Sequence, residues 1–423
     1  MISLILKHSR YLFCLIVMLF FLSVKPVNAF IPITTDTKVS LITCGAGYEV
    51  YSMYGHTALR VKDTKLGYDY IFNYGVFSLQ MDNFAYHFVK GETDYQVVIT
   101  TYDSFIQEYV DDNREVYENE FQLTDSSKRL IVDYLEWNLQ PENKVYRYKF
   151  FSDNCATRIR DILEKNAEIQ WNTNSENRIK PPQSGQFSVI INDYWRTKTQ
   201  YTFRDIILIY QSKLPWINAA IQIPIAAPAD THLTYRAAMF LPDFLMDAVQ
   251  NATVISNGKS IPLAKPAIQL LIPNQKLLPA KASILCSPFF VITIVFILLF
   301  VITLLGIYRR RLYRFIDCFL LFVTGLFGVL LIFMSFISVH ESMRPNFNLW
   351  WAFPLNFLAF FFVLFSSRIL IKYYQFLCVL YGLFFFALPF IPQSIPFIQC
   401  VFPLLILFRF IAYKSLQNTI DNK

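Results

Sequence analysis

Residues 145–163 read VYRYKFFSDNCATRIRDIL, and the spacing of the apolar side chains changes within this stretch. From Val145 to Phe151, aromatic residues alternate with charged ones, which predicts a strand. Asp153 and Asn154 are both good helix N-cap residues, and after Cys155 the apolar residues recur at helical spacing. Cys155 is therefore expected in the first turn of a helix, where unpaired N–H groups and the positive end of the helix dipole stabilise a thiolate.

A thiol nucleophile at neutral pH needs a base, and residues 30–283 contain only three histidines. His56 opens a predicted strand, which turns near residue 65 and returns through Tyr68–Tyr74. Asn73 or Tyr74 is then expected opposite His56. Asn73 would hold the imidazole in the useful tautomer, as the asparagine of a Cys-His-Asn site does.

The remaining polar candidates have less specific settings. Asp69 lies on the same predicted strand at even spacing and is the second candidate for orienting His56. His87, between Tyr86 and Phe88, is interpreted as a packing residue, and His232 as a cap or loop residue.

Residues 1–29 have the three parts of a secretory signal peptide. Lys7 and Arg10 supply positive charge, Tyr11–Val24 is an apolar run, and Val27-Asn28-Ala29 ends in a small residue. This order predicts cleavage after Ala29, and an uncleaved membrane anchor is the alternative.

The composition changes abruptly after Cys286. Residues 30–283 have the composition of a globular domain, expected to be the extracytoplasmic catalytic domain, whereas residues 284–423 are expected to form a transmembrane domain of about five helices. The five apolar segments are Ser287–Tyr308, Ile316–Val339, Leu349–Ser366, Phe376–Ile391 and Ile395–Ala412.

The basic residues between these segments predict their orientation. The connection at 309–314 contains four arginines and is expected in the cytoplasm, whereas Val339–Asn348 carries one arginine beside one glutamate and is expected outside. The domain before the first span is then extracytoplasmic. The net charge of +7 follows mostly from this topology. The chain has no pattern typical of nucleic-acid binding and no glycine-rich nucleotide loop, so no nucleic-acid partner, metal or cofactor is expected.

Cysteine use in the predicted extracytoplasmic domain leaves one alternative open. Cys44 and Cys155 are the cysteines of that domain outside its membrane edge. In an oxidising compartment a structural disulfide between them competes with a free nucleophile.

Three motifs in combination resemble the Lnb-type lipoprotein N-acyltransferase family: residues 44–61 (CGAGYEVYSMYGHTALRV), 72–75 (FNYG) and 151–158 (FSDNCATR). The resemblance covers most of residues 38–250, and the apolar tail fits the same architecture. Ala46 departs from the pattern where a proline is expected in the turn. The order, histidine first and cysteine later, is also similar to permuted papain-like enzymes such as the lecithin–retinol acyltransferase group.

The resemblance implies an α+β, permuted papain-like (NlpC-like) domain in the periplasm, on a multi-pass protein of the bacterial inner membrane. It implies that Cys155 and His56, oriented by Asn73, move an acyl chain from a membrane phospholipid, through a thioester, to a diacylglyceryl lipoprotein. Arg60 and Arg158 are candidates for contact with the phosphate, and ion pairs within the domain are the alternative for each. A thiol hydrolase acting on cell-wall amide bonds or on phospholipids, and a disulfide-bonded scaffold, are the competing interpretations.

Overall fold

A seven-stranded antiparallel sheet forms the centre of the N-terminal domain. The computed structural model describes residues 31–77, 82–172, 200–256, 258–274, 283–363 and 367–421, and the predicted signal peptide lies outside them. The strands are β1 Lys38–Cys44, β2 His56–Asp63, β3 Tyr68–Val76, β4 Asp94–Thr101, β5 Val116–Glu120, β6 Val145–Arg147, β7 Ile169–Gln170, β8 Thr253–Ser256, β9 Lys259–Pro262 and β10 Ile268–Leu271. The strand order of the large sheet is β10-β5-β1-β2-β3-β4-β6, and β7, β8 and β9 form a separate small sheet.

Helices pack on this sheet, which confirms the predicted α+β class. They are α1 Phe84–Lys90, α2 Tyr102–Asp111, α3 Asp125–Asn138, α4 Cys155–Asn166, α5 Phe203–Tyr210, α6 Pro215–Ile221, α7 Tyr235–Ala238 and α8 Pro242–Asn251. The largest core joins the sheet to α3, α4 and α8 through buried side chains that include Leu59, Phe72, Ile131, Ile159 and Leu245. Burying these apolar groups fixes α4, and Cys155 at its start, against the sheet.

The strand predicted for Val145–Phe151 is shorter than expected, because β6 ends at Arg147. Beyond it the chain folds back on itself: Lys149 and Asp153 exchange two main-chain hydrogen bonds, each 3.0 Å long. Alternation of side chains continues through this turn, so periodicity alone does not distinguish it from a strand.

The C-terminal region is helical: α9 Pro288–Tyr308, α10 Arg314–Ile332, α11 Leu355–Val363, α12 Ser367–Ala387 and α13 Phe397–Asp421. Four helical stretches of the described chain are long and apolar enough to cross a bilayer. The third predicted span, Leu349–Ser366, is the exception. A shorter apolar helical stretch, Phe347–Phe362, occupies its place and falls below the length of the other four.

A buried ion pair ties the membrane helices together. Asp317 of α10 and Arg409 of α13 are both fully buried, and Nε of Arg409 donates to Asp317 at 2.7 Å. Tyr374 and Tyr413 also donate to the Asp317 carboxylate, at 2.7 and 2.6 Å. A charge among apolar helices is tolerated only with such partners, so this group fixes how α10, α12 and α13 pack.

The connection between α10 and α11 contacts the sheet domain directly. The main-chain N–H of Val339 donates to the carbonyl of Lys90 at 2.8 Å, and that of Ala226 donates to the carbonyl of Ser342 at 2.7 Å. The side-chain amide of Asn346 donates to the carbonyl of Pro224 at 2.8 Å. This connection and the sheet domain therefore lie on the same side of the membrane, in agreement with the charge-based orientation.

Candidate active site

Cys155 is the first residue of α4, and Asn154 is the N-cap of that helix. The Asn154 side chain accepts from the N–H of Thr157 at 2.9 Å, and Thr157 Oγ1 accepts from the N–H of Asn154 at 2.8 Å. This capping box satisfies donors that a helix start leaves unpaired. The Asn154 amide also donates to the carbonyls of Phe150 and Phe240, both at 2.8 Å, so the cap is anchored on two sides.

His56 begins β2 directly after a glycine that the backbone requires. Gly55 has φ +79°, and a Cβ on it would lie 2.7 Å from the carbonyl oxygen of Cys44. Both the left-handed conformation and the close approach exclude other residues without strain. The turn that Gly55 makes brings the imidazole to the end of the sheet where α4 begins.

Asn73 contacts the imidazole, although not from the position predicted. Oδ1 of Asn73 lies 2.6 Å from Nε2 of His56. The ladder pairs Asn73 with Ala58, two residues beyond His56, so the expected pairing directly opposite His56 is wrong. The hairpin closes with Asp63 opposite Tyr68, which moves its centre past residue 65, and Asn73 reaches His56 diagonally.

An amide oxygen only accepts hydrogen bonds, so this contact places a proton on Nε2 of His56. Nδ1 is then free to act as the base towards Cys155, whose side chain is close enough to raise the pKa of His56. The asparagine therefore selects the tautomer that proton transfer from the thiol requires.

The electrostatics favour a thiolate–imidazolium pair. Burial alone would raise the pKa of Cys155, but the charge and hydrogen bond of His56, with a further hydrogen bond from the Thr57 main-chain N–H, bring the pKa below its ordinary value. Burial alone would lower the pKa of His56, yet Cys155 and Asn73 raise it above its ordinary value. Each partner thus stabilises the charged form of the other.

Gly75 and Tyr146 lie beside the dyad, and sequence reasoning assigned neither a role. A Cβ on Gly75, whose φ is +92°, would lie 3.8 Å from Cβ of Cys155, 3.8 Å from Cε1 of His56 and 4.0 Å from Oη of Tyr146. The Tyr146 hydroxyl is buried and has no hydrogen-bond partner among the residues the structure describes. The alternation of Tyr146 and Tyr148 was visible in the sequence, but it carries no information about distance to Cys155.

Asp69, the second candidate for orienting His56, is engaged elsewhere. Its carboxylate binds the Arg60 guanidinium through two hydrogen bonds of 2.7 and 2.6 Å. Arg60 also pairs with Glu118 at 3.0 Å and lies 3.7 Å above the Tyr102 ring. Arg60 therefore forms ion pairs within the domain, the alternative to phosphate contact. Contact with a phosphate stays a prediction, and it would require Arg60 to leave these partners.

Arg158 lies nearer the dyad. Its guanidinium donates to Asp153 at 2.7 and 3.0 Å and lies 3.5 Å from the centre of the Tyr146 ring. A fifth of the side chain remains exposed. Phosphate contact by Arg158 stays a prediction, and the observed contacts hold the Tyr146 ring in place.

The other histidines lie outside this arrangement. His87, expected to be a packing residue, is about one-third exposed on α1, with Nδ1 3.8 Å from Glu92. His232 is exposed in a loop that bridges to Thr202, consistent with its interpretation as a loop residue. Across the described ranges, no three His, Cys, Asp or Glu side chains are grouped so as to hold a metal ion.

Cys44 and Cys155 are both free thiols, so the structure contains no disulfide between them. They belong to separate clusters: Cys44 packs with Ile42 and Phe105 under α2, and Cys155 packs with the α4 core. Burial raises the pKa of Cys44 to about 12, which keeps this thiol protonated and inert.

Comparison with known proteins identifies the family. The family model for the Lnb N-terminal periplasmic domain matches residues 33–196, and the model for the Lnb transmembrane domain matches residues 280–419. No curated protein and no solved structure matches the chain. The first match falls on the sheet domain and the second on the membrane helices, and together they cover more than half of the sequence. This chain therefore belongs to the Lnb family, with a periplasmic domain followed by a transmembrane domain.

Proposed function

We propose that the protein is a lipoprotein N-acyltransferase of the bacterial inner membrane. It moves an acyl chain from a membrane phospholipid, through a thioester on Cys155, to the α-amine of a diacylglyceryl-cysteine. The observation that carries this proposal is the Cys155 thiol at the start of α4, with a pKa that His56 lowers, beside the Asn73 oxygen 2.6 Å from Nε2 of His56. Lnb membership supports lipoprotein N-acylation, and the transmembrane domain supports substrates that are anchored in the bilayer.

In the first half-reaction His56 takes the proton of Cys155, and the thiolate attacks the ester carbonyl carbon of the phospholipid. A carbon–sulfur bond forms and the carbonyl oxygen becomes an oxyanion. When the oxyanion collapses, the carbon–oxygen bond to glycerol breaks and His56 returns its proton to the leaving alkoxide. The products are a lysophospholipid and an acyl thioester on Cys155.

In the second half-reaction the amine of the lipoprotein attacks the thioester carbonyl. A carbon–nitrogen bond forms, His56 accepts the amine proton, and the carbon–sulfur bond breaks to release the thiolate. The acyl chain ends as an amide, and the enzyme returns to its starting protonation state. Neither step changes an oxidation state, so the reaction requires no redox cofactor.

Aromatic side chains that reach from the dyad towards the membrane helices support a lipid donor. The ring centroids of Tyr148 and Tyr95 are 4.3 Å apart, and those of Tyr95 and Phe77 are 4.9 Å apart. Phe84 of α1 stacks on Phe77 and on Phe88, with centroids 5.9 and 5.8 Å apart, and Phe88 contacts His340 in the connection after α10. Apolar surface along this path favours an acyl chain over a peptide or a sugar.

The test is the covalent intermediate. We expect the full-length protein, incubated with phospholipid vesicles and no acceptor, to gain one acyl mass on Cys155 that neutral hydroxylamine removes. A diacylglyceryl-cysteine peptide with a free N-terminus should then discharge the adduct and acquire an amide-linked third chain. The same peptide with a blocked N-terminus should leave the adduct in place.

Two variants serve as controls. Cys155→Ala should form no adduct, whereas Cys286→Ala, which removes an exposed thiol at the membrane edge, should form it as the unmodified protein does. Release of free fatty acid without transfer to the peptide would contradict the transferase and support the hydrolase. Release of amines from cell-wall fragments would do the same.

A further inference from the structure

The Tyr146 hydroxyl is buried and has no hydrogen-bond partner among the described residues, which costs free energy. The side chain is buried, and no described residue accepts or donates a hydrogen bond to Oη. A buried hydroxyl without a partner loses its hydration with no compensation, so folded proteins rarely keep one without a role.

The position of this hydroxyl relative to the dyad indicates the role. A Cβ built on Gly75 would have Cβ of Cys155, Cε1 of His56 and Oη of Tyr146 as its three nearest heavy atoms, at 3.8, 3.8 and 4.0 Å. A carbonyl group under attack by the Cys155 sulfur would occupy space next to that sulfur. The Tyr146 hydroxyl and both side chains of the dyad therefore lie within 4.0 Å of one point beside Gly75.

The ring is held so that the hydroxyl keeps this direction. Tyr146 belongs to β6 and pairs with Tyr95 of β4, and the Arg158 guanidinium lies 3.5 Å from the ring centre. Burial and the nearby Cys155 charge raise the pKa of Tyr146 well above its ordinary value, so the hydroxyl keeps its proton and remains a donor. A donor fixed in a water-poor site needs no reorganisation when charge develops near it.

We propose that the Tyr146 hydroxyl, together with the main-chain N–H of Cys155, donates hydrogen bonds to the oxyanion that forms when Cys155 attacks an acyl carbonyl. The Cys155 N–H is at the first position of α4, where a helix has no internal acceptor for it. In this step the carbon–sulfur bond forms and the carbonyl π electrons move to oxygen. Neither donor gives up its proton, and the oxyanion electrons return to re-form the carbonyl when the leaving group departs.

This inference rests on the proposed acyl chemistry of Cys155, and Tyr146→Phe tests it because only the hydroxyl is removed. Three rates are measured on the full-length protein: alkylation of Cys155 by iodoacetamide, acylation by p-nitrophenyl butyrate, and acylation by phospholipid vesicles. Alkylation forms no oxyanion, so it reports the thiolate alone. We expect Tyr146→Phe to leave alkylation unchanged and to slow both acylations about 100-fold, as for loss of one oxyanion donor.

The melting temperature is an independent measurement, and it should not change in the same way in Tyr146→Phe and in the matched variant Tyr74→Phe. Tyr146→Phe removes an unpartnered buried hydroxyl, so its melting temperature should be equal to or above that of the unmodified protein. Tyr74→Phe removes a hydroxyl that donates to Asn138 at 2.9 Å in the core, so it should lower the melting temperature and leave both acylation rates intact.

Unchanged acylation rates in Tyr146→Phe would overturn the inference. An equal loss of alkylation and acylation would also overturn it, because the hydroxyl would then act on the thiolate and not on the oxyanion. If the unmodified protein reacts with p-nitrophenyl butyrate and not with phospholipid, phospholipid is not the acyl donor. The rates with p-nitrophenyl butyrate would still decide the role of Tyr146. No acyl adduct on Cys155 with either substrate would overturn both proposals.

Discussion

The carboxylate of Glu341, in the connection between two membrane helices, accepts a hydrogen bond of 3.1 Å from the main-chain N–H of Phe151, four residues before the nucleophile. The same carboxylate accepts a hydrogen bond from the hydroxyl of Ser152. Phe151 and Ser152 lie in the tight turn that leads into Asn154 and Cys155. The membrane domain thus holds the turn that positions the thiol, in addition to anchoring the protein.

Glu341→Ala should therefore slow acylation of Cys155 while leaving the protein inserted and folded. Glu341→Gln should lose less, because the two donors reach different carboxylate oxygens and glutamine keeps one of these as an acceptor. Acylation by p-nitrophenyl butyrate measures this effect without the contribution of lipid binding. Asp133→Ala removes an exposed carboxylate paired with Arg129 on α3 and is the matched control. Equal rates for Glu341→Ala and Asp133→Ala would show that the contact only joins the domains.

His56→Ala should reduce acylation by about 10²–10⁴-fold, the usual contribution of a positioned general base. Asn73→Ala should lose less, because the imidazole remains and only its orientation and tautomer are affected. His87→Ala, a change of the same kind at a partly exposed position on α1, is the control and should retain activity. A loss from Asp69→Ala that exceeds the loss from Asn73→Ala would contradict the assigned orienting residue.

The pH dependence of Cys155 alkylation should report the ion pair. The pKa of Cys155 is lowered, so reactivity should persist below the ordinary thiol range and be lost only as pH falls through the lowered pKa. The raised pKa of His56 keeps the imidazolium present as pH rises towards that value. In His56→Ala only Thr57 still opposes the effect of burial on the pKa of Cys155, so the profile should move to higher pH. A Cys286→Ser background removes an exposed competing thiol, and an unmoved profile would contradict the pairing.

Asp243 should make the stability of the periplasmic domain depend on pH. Burial raises its pKa from 3.8 to about 7, with its carboxylate accepting from the Tyr210 hydroxyl at 2.6 Å. Because the pKa of Asp243 is higher in the folded state, its protonated form stabilises the domain below pH 4. This stabilisation is lost as the pH rises to about 7. Asp243→Asn should lack this loss and melt at a higher temperature than the unmodified protein at pH 7.5. Melting curves from pH 4 to 8 decide this, with Asp133→Asn as an exposed control. The prediction would be contradicted if the melting temperature of Asp243→Asn fell with rising pH as steeply as that of the unmodified protein.

The aromatic path from α1 predicts a lipid-specific defect. Phe88 is 46 % exposed and contacts His340 in the connection after α10, with ring centroids 6.2 Å apart. Phe88→Asp should slow acylation by phospholipid vesicles more than acylation by the soluble p-nitrophenyl ester, because a charge opposes transfer of a lipid chain along apolar surface. Phe88→Leu keeps the apolar surface and is the control. Equal losses with both donors would place the defect in the fold instead.

Features that depend on local chemistry could be predicted along the chain. The cap at Asn154, the helix that starts at Cys155 and the apolar segments after Cys286 depend on neighbouring residues and on segment length, so they are readable along the chain. The histidine strand and the asparagine that contacts it were also predicted, since a hairpin brings nearby segments together. The family resemblance depended on the same short motifs.

The tertiary structure decided the contacts that depend on register and on distant segments. Asn73 rather than Asp69 contacts His56, because the hairpin register directs Asp69 to Arg60. Glu341 reaches Phe151 across 190 residues of sequence, and no periodicity carries that information. The unpaired Tyr146 hydroxyl is a property of the space around it, which exists only once β6, Gly75 and α4 have packed. Side-chain spacing determines elements, whereas burial and partners come from packing between them.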